Sequence, residues 1–349
     1  MGATAKGRSR TPIAVSMGDP AGIGPEISLK AWAERGKRNL PPFVLYANPD
    51  ALTERSRQLS LPVTLQNIGC LSEAVDVFAR ALPVRPVPLA APVTPGVPNP
   101  ANAKAVIAAI EQATAAVIDG EAMALVTNPI AKSVLTASGF AYPGHTEFLA
   151  ALAQRHFSGQ RFHPVMMLAS RELRIVPLTI HIPLADVPKA ITREAIIDTA
   201  RITFEALQRD FSITKPRVAI TGLNPHGGED GTMGREESKV IAPAIADLRR
   251  EGFWVTGPYP ADTLFHTGAR ASYDAVIAMY HDQALIPFKT IAFDQGVNVT
   301  LGLPFVRTSP DHGTAFDIAR QACASPQSLI ESLKLAADIA AARATSAPR

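Results

Sequence analysis

The sequence predicts an α/β protein of two domains, and three observations carry that expectation. Its 349 residues suffice for two domains of ordinary size, and a composition 47% hydrophobic and 19% charged can fill sizeable cores. Short β-branched or apolar runs alternate with longer helical patterns, the rhythm of a mainly parallel sheet covered by helices. Histidines and glycine-rich turns fall just past the predicted strands, at the edge where an open α/β sheet binds ligands.

Strands are predicted at Ile13–Met17, Phe43–Ala47, Ala124–Thr127, Val165–Ala169, Ile175–Ile180, Val218–Thr221 and Ala275–Tyr280, each bounded by Gly, Pro, Asn or Asp. The first runs into Gly18-Asp19-Pro20-Ala21-Gly22-Ile23-Gly24-Pro25-Glu26, a glycine-rich turn with Pro25 suited to the first turn of a helix. Such a turn can present N–H groups to an anion or serve packing alone, and spacing does not choose between them. It is not G-x-G-x-x-G, because Ile27 stands at the last position, and it lacks the Lys-Ser/Thr ending of a Walker loop. The segment Pro83–Pro100 holds seven prolines in eighteen residues, which disfavours helix and central strand and predicts an extended surface connection within the first domain. Ala101–Asp119 has the apolar spacing of a helix, with Gly120 as its stop, and Thr192–Arg209 and Glu236–Arg250 read similarly.

Lys and Arg number 34 against 31 Asp and Glu, and the net charge of +3 gathers into no basic tract, so nucleic acid is not an expected partner. Cys70 and Cys323 lie far apart and outside any CxxC pair, which predicts neither a disulfide framework nor a thiolate zinc site and fits a reducing cytoplasm. The apolar run after Met1–Arg10 is too short for a signal-peptide core or a membrane span.

His181 and His281 each follow a predicted strand directly, and His226 sits in the glycine-rich loop after Val218–Thr221. Three imidazoles at equivalent strand ends suit one divalent metal with an open position, although a single loop histidine is more often a hydrogen-bonded structural residue. No HExxH helix is present, and His156, His163 and His266 are read as structural. Asp282 beside His281 either orients the imidazole or caps a helix. Gly144-His145-Thr146-Glu147 opens a helix with Thr146 as its expected cap, and Lys289, Asn298 and Arg307 offer an anion pocket or, taken singly, solvated surface. Ser309-Pro310-Asp311-His312-Gly313-Thr314-Ala315 reads from spacing alone as a loop leading into a helix.

Taken together these segments resemble the 4-hydroxythreonine-4-phosphate dehydrogenases of pyridoxal-phosphate biosynthesis. The likeness runs from Ser16–Glu26 through Thr127-Asn128-Pro129-Ile130-Ala131-Lys132, Gly144–Glu147 and Thr179-Ile180-His181-Ile182-Pro183-Leu184. It continues through Gly222-Leu223-Asn224-Pro225-His226, Tyr280-His281-Asp282-Gln283 and Val297–Pro304 into Asp311–Ala319, and covers roughly residues 11–340. A few extra residues around Gln160–Pro164 lengthen one loop relative to the family.

The resemblance implies an isocitrate/isopropylmalate dehydrogenase-like fold, with two α/β/α domains and a cleft between them. Residues 11–135 plus 305–345 would form the first domain, and 136–304 the second, carrying the metal ligands and the dimer interface. It further implies a homodimer with its active site at the subunit interface, here expected with His281 from one subunit and His181 and His226 from the other. Metal ligands are implied at His181, His226 and His281, and substrate contacts at His145, Thr146, Lys289, Asn298 and Arg307. Asp311, His312, Gly313 and Thr314 resemble the cofactor loop of the wider superfamily. Asp282 or Asp262 is expected in proton relay or behind a ligand. The implied activity is NAD- or NADP-dependent oxidation of 4-phosphooxy-L-threonine, assisted by one divalent ion (Zn, Mg or Co), with decarboxylation to 3-amino-2-oxopropyl phosphate. A four-carbon sugar-acid phosphate or a cyclic dihydrodiol dicarboxylate is the alternative substrate, and an inactive metabolite-binding protein of the same fold the alternative class. No membrane partner is expected.

Overall fold

The computed structural model describes residues 11–136, 138–142 and 144–346. Among them, in chain order, run strands β1 (Ile13–Ser16), β2 (Phe43–Ala47), β3 (Leu65–Asn67), β4 (Leu82–Pro86), β5 (Ala124–Thr127), β6 (Val165–Ala169), β7 (Arg174–Pro177), β8 (Val218–Thr221), β9 (Val255–Tyr259), β10 (Ala275–Ala278), β11 (Val297–Leu301) and β12 (Arg307–Pro310). The chain divides into two compact units, Met1–Phe162 with Leu303–Ala340 and His163–Gly302 with Ala341–Arg349.

In the first unit the strands stand in the order β3-β4-β2-β1-β5-β12, with every registered pair parallel. β1, β2 and β5 are buried along their whole length, so they read as unbroken apolar runs rather than as alternation. Helix Ala103–Ile118 packs on these three strands and buries Val106, Ala109, Ile110, Ala113 and Val117. Helix His145–His156 packs on that helix in turn, so residues 136–162, expected in the second domain, group with the first unit.

The proline-rich segment departs from expectation at its start, where β4 lies between β3 and β2 instead of at an edge. The reason lies in which way each nitrogen points. Leu82 and Val84 bond toward the β3 side and Val87 bonds to Ala47 of β2, so alternate residues face opposite neighbours. Pro83 therefore turns its donor-less nitrogen toward β2 before the first registered pair, Leu45 with Val84, and Pro86 turns its own toward β3 beyond the last pair, Asn67 with Val84. Neither proline removes a ladder bond.

In the second unit the order is β11-β6-β7-β10-β8-β9, with β6 antiparallel to both neighbours and the other registered pairs parallel. Leu168, Ile175, Val276, Ala284 and Phe288 share one core, which seats helix His281–Ala292 against the sheet. Because β10 stands between β7 and β8, three neighbouring parallel strands end along one edge. The segments bearing His181, His281 and His226 leave from there. No helix among the described residues is long and apolar enough to cross a membrane.

Candidate metal and substrate site

The predicted strands Ile175–Ile180 and Ala275–Tyr280 leave the ladder early, at Pro177 and Ala278. Their continuations stay joined, since Leu178 N–H donates to Ala278 O at 2.7 Å and the Thr179 hydroxyl donates to Met279 O at 2.8 Å. This brings His181 and His281 together with ring centroids 6.0 Å apart. Two imidazoles on one tetrahedral ion, each nitrogen about 2.0–2.1 Å from it, place their centroids about 5 Å apart, so a small side-chain adjustment suffices. Both rings line a cavity of about 320 Å³ with Ile182, Leu184, Val187, Tyr280 and Asp282. His281 Nδ1 lies 2.7 Å from Asp282 Oδ1. A neutral ring that donates from Nδ1 to this carboxylate presents its Nε2 lone pair to a metal. Tyr280 holds the cap position of helix His281–Ala292, so Asp282 does not serve as the cap.

His226 is held differently. Its loop leaves β8 at Gly222, where buried Gln283 ties the neighbourhood together: Oε1 accepts from Thr221 Oγ1 and Met279 N–H, both at 2.7 Å, and Nε2 donates to Gly222 O at 2.8 Å. From His226 to Asp230 the backbone is left-handed at every residue, with φ between +42° and +80°. Side chains other than glycine cost of order 1–3 kcal/mol each in such a conformation and keep it where the surroundings over-determine it. His181, at φ +34°, carries the same kind of strain. Buried Glu237 braces the His226 loop by accepting from the backbone N–H groups of Leu223 at 2.8 Å and Asn224 at 2.7 Å. Among the described residues, no three His, Cys, Asp or Glu side chains form a group that could hold a metal ion. Asp262 is exposed in the turn Ala261–Thr263, which packs against the His226 loop, and it does not line the cavity. Sequence reasoning singled out neither Gln283 nor Glu237. Gln283 stood inside a quoted motif, whereas Glu237 left no local signal.

In the first unit, Arg307 opens β12 almost fully buried and donates from Nη2 to Thr127 Oγ1 at 2.7 Å. Burial pushes its guanidinium down to about 10, with Glu147 opposing, and at that value it remains a cation. His145 Nε2 is buried with no hydrogen-bond partner among the described residues. Burial, then the charge of Arg307, holds the His145 imidazole well below its ordinary value of 6.5, so it stays neutral near pH 7. Thr146 is the second helical residue and not the cap, which is Gly144.

Lys289 lies in the last turn of helix His281–Ala292 with its ammonium 5.5 Å from the Phe293 ring centroid. Asn298 sits on β11 opposite Leu168, with Oδ1 buried and unpartnered among the described residues. A buried acceptor of this kind is the sort of group a ligand satisfies. The Asp311–Thr314 stretch backs onto the glycine-rich turn. Ile23 N–H donates to Thr314 O at 3.0 Å, and a Cβ on Gly22 would stand 2.9 Å from that oxygen, so only glycine fits. His312 Nδ1 lies 3.1 Å from Gly313 O, and Gly313 faces open space.

A family model described as pyridoxal phosphate biosynthetic protein PdxA matches residues 39–336. The 4-hydroxythreonine-4-phosphate dehydrogenase of Methylorubrum populi is 56% identical over 331 residues, which cover 94% of each chain. The crystal structure of the 4-hydroxythreonine-4-phosphate dehydrogenase of Klebsiella pneumoniae aligns with a TM-score of 0.84 at 38% identity, covering 96% of this chain and 99% of that one. A terephthalate 1,2-cis-dihydrodiol dehydrogenase of Burkholderia xenovorans aligns at 0.61 and 30% identity, covering 94% and 98%.

Proposed function

This chain belongs to the PdxA family of pyridoxal phosphate biosynthetic proteins, and from that premise we propose that it oxidises 4-phosphooxy-L-threonine with NAD or NADP and decarboxylates it to 3-amino-2-oxopropyl phosphate. The observation that carries the reading is the His181–His281 pair at adjacent strand ends, with Asp282 on the second ring.

His181, His226 and His281 would hold one divalent ion, Zn, Mg or Co. Such an ion would supply Lewis-acid chemistry, making the substrate hydroxyl more acidic and polarising a carbonyl oxygen. Asp282 fixes the His281 ring and is our first choice for moving the hydroxyl proton, with Asp262 the second. Arg307 and Lys289 supply positive charge to the phosphate and carboxylate. Neutral His145 donates a hydrogen bond there without competing charge. Thr146 and Asn298 complete the proposed substrate contacts. Asp311, His312, Gly313 and Thr314 are proposed to meet the cofactor, on a loop whose seat against Gly22 is fixed.

His181 and His281 stand together in one chain, and we propose that a partner subunit completes their centre in a homodimer. The division then differs from the sequence expectation: the partner would supply His226 to the pair His181 and His281, instead of His281 being separated from His181. Leu184, Ile286 and Phe293 expose large apolar side chains on the elements that bear the pair, which suits a subunit contact. Both cysteines are free and exposed, in keeping with the cytoplasmic location the reading implies.

The test is a substrate panel with NAD and added metal that follows reduced cofactor and carbon dioxide. Turnover of 4-phosphooxy-L-threonine in preference to four-carbon sugar-acid phosphates and to cyclic dihydrodiol dicarboxylates supports the proposal. Preference for the dihydrodiols would place the enzyme with its Burkholderia relative. Binding without turnover would make it a metabolite-binding protein.

A further inference from the structure

We propose that Glu237 is a positioning residue for the metal centre, setting the place of His226 through the loop that carries it. The inference rests on reading His226 as a metal ligand. Glu237 is 6% exposed and opens a π-helical turn, Glu237–Ile241, that leads into helix Ala242–Arg250. Single π-helical turns recur at functional sites, because they redirect side chains that a regular helix would aim elsewhere.

Here the carboxylate reaches back to the loop. Oε1 accepts from Leu223 and Asn224 N–H, and Oε2 accepts from Asn224 Nδ2 at 2.9 Å. The loop also closes over the same group: a Cβ on Gly222 would stand 3.0 Å from Oε1, and one on Gly228 2.5 Å from Oε2. Glu237 therefore touches the loop on both sides of His226. Between those contacts the backbone holds its left-handed run, which includes His226 itself at φ +52°. A buried carboxylate is costly unless its oxygens are bonded, and these bonds all go to N–H donors of the loop. An apolar side chain of similar volume would fill the space but leave the Leu223 and Asn224 N–H groups without this acceptor.

The test titrates the metal-stripped full-length protein with Co²⁺ and follows the visible absorption of the bound ion, alongside a thermal melt of each variant. Wild type, His226→Ala, Glu237→Ala, Glu237→Gln and the combinations with His226→Ala are compared. Loss of a group that orients a ligand weakens metal binding about 10- to 100-fold, and Glu237→Ala should do so and alter the cobalt spectrum. Glu237→Gln, which keeps one acceptor oxygen, should lose less. In the His226→Ala background neither change should weaken cobalt further, because Glu237 acts through that ring. If Glu237→Ala does not fold, Glu237→Gln carries the same comparison. Wild-type cobalt affinity and spectrum in the Glu237 variants, or an equal loss with and without His226, overturns the proposal. Wild-type affinity in His226→Ala would instead remove the ligand reading beneath it.

Discussion

Two residues of the first unit lend themselves to direct tests. The folded state keeps His145 neutral, whereas the unfolded chain takes up a proton as pH falls through the ordinary value of 6.5. Its contribution to stability is therefore complete above that pH and declines as pH falls from there toward the depressed folded value, by at most about 1.4 kcal/mol per pH unit. His145→Gln should flatten the decline, and denaturant titrations between about pH 7 and pH 5 check it. An identical slope in the variant would mean that the ring titrates freely. Arg307→Ala should raise the KM for the phosphorylated substrate about 10- to 150-fold, as expected when a buried charge-assisted contact is lost, with the KM for NAD nearly unchanged. Equal effects on both would make Arg307 a structural group of the β12 start.

At the scale of elements, the long apolar strands and amphipathic helices were legible, because burial on both faces or on one stripe leaves a pattern in the residues themselves. β1, β2, β5 and β8 lie within one residue of their predicted bounds. Several of the strands not foreseen carry mixed signals, although β11, Val-Asn-Val-Thr-Leu, is β-branched and strand-like. β12 is Arg-Thr-Ser-Pro, β9 contains Gly257-Pro258, and β4 contains Pro83 and Pro86, whose tolerance depends on where neighbouring strands begin and end. That information lies in the pairing and not in the segment. Gln283 shows the same limit, since it joins the ends of β8 and β10 to the start of a helix by bonds to nearby Met279 and to Thr221 and Gly222, far away in sequence. Gln283→Leu would strand the buried Met279 N–H and Gly222 carbonyl, at about 1–3 kcal/mol for each group left without a partner. Chemical denaturation should show a loss of roughly 2–6 kcal/mol, and a loss below about 0.5 kcal/mol would mean that other partners replace it.

Across the whole molecule, family motifs proposed which residues form the site, while the arrangement of His181 and His281 was not legible in them. Motif matching marks His181, His226 and His281 alike, but only the register of β7 with β10 shows that two of them pair within a chain. A shared centre makes a clear forecast for mixed dimers. Co-expressing His181→Ala with His226→Ala should restore about a quarter of wild-type activity, because half the dimers are mixed and each holds one intact site of two. Co-expressing His181→Ala with His281→Ala should restore none. The opposite pattern would return the division to the one expected from sequence.

The central claim is a metal-assisted oxidation coupled to decarboxylation, and it is tested most directly by measuring reduced cofactor and carbon dioxide together from 4-phosphooxy-L-threonine. The protein would be assayed before and after chelation and again after Zn, Mg or Co is returned. The account predicts equal amounts of the two products, both lost on chelation and both recovered with metal. Undiminished turnover by verified metal-free protein would contradict it.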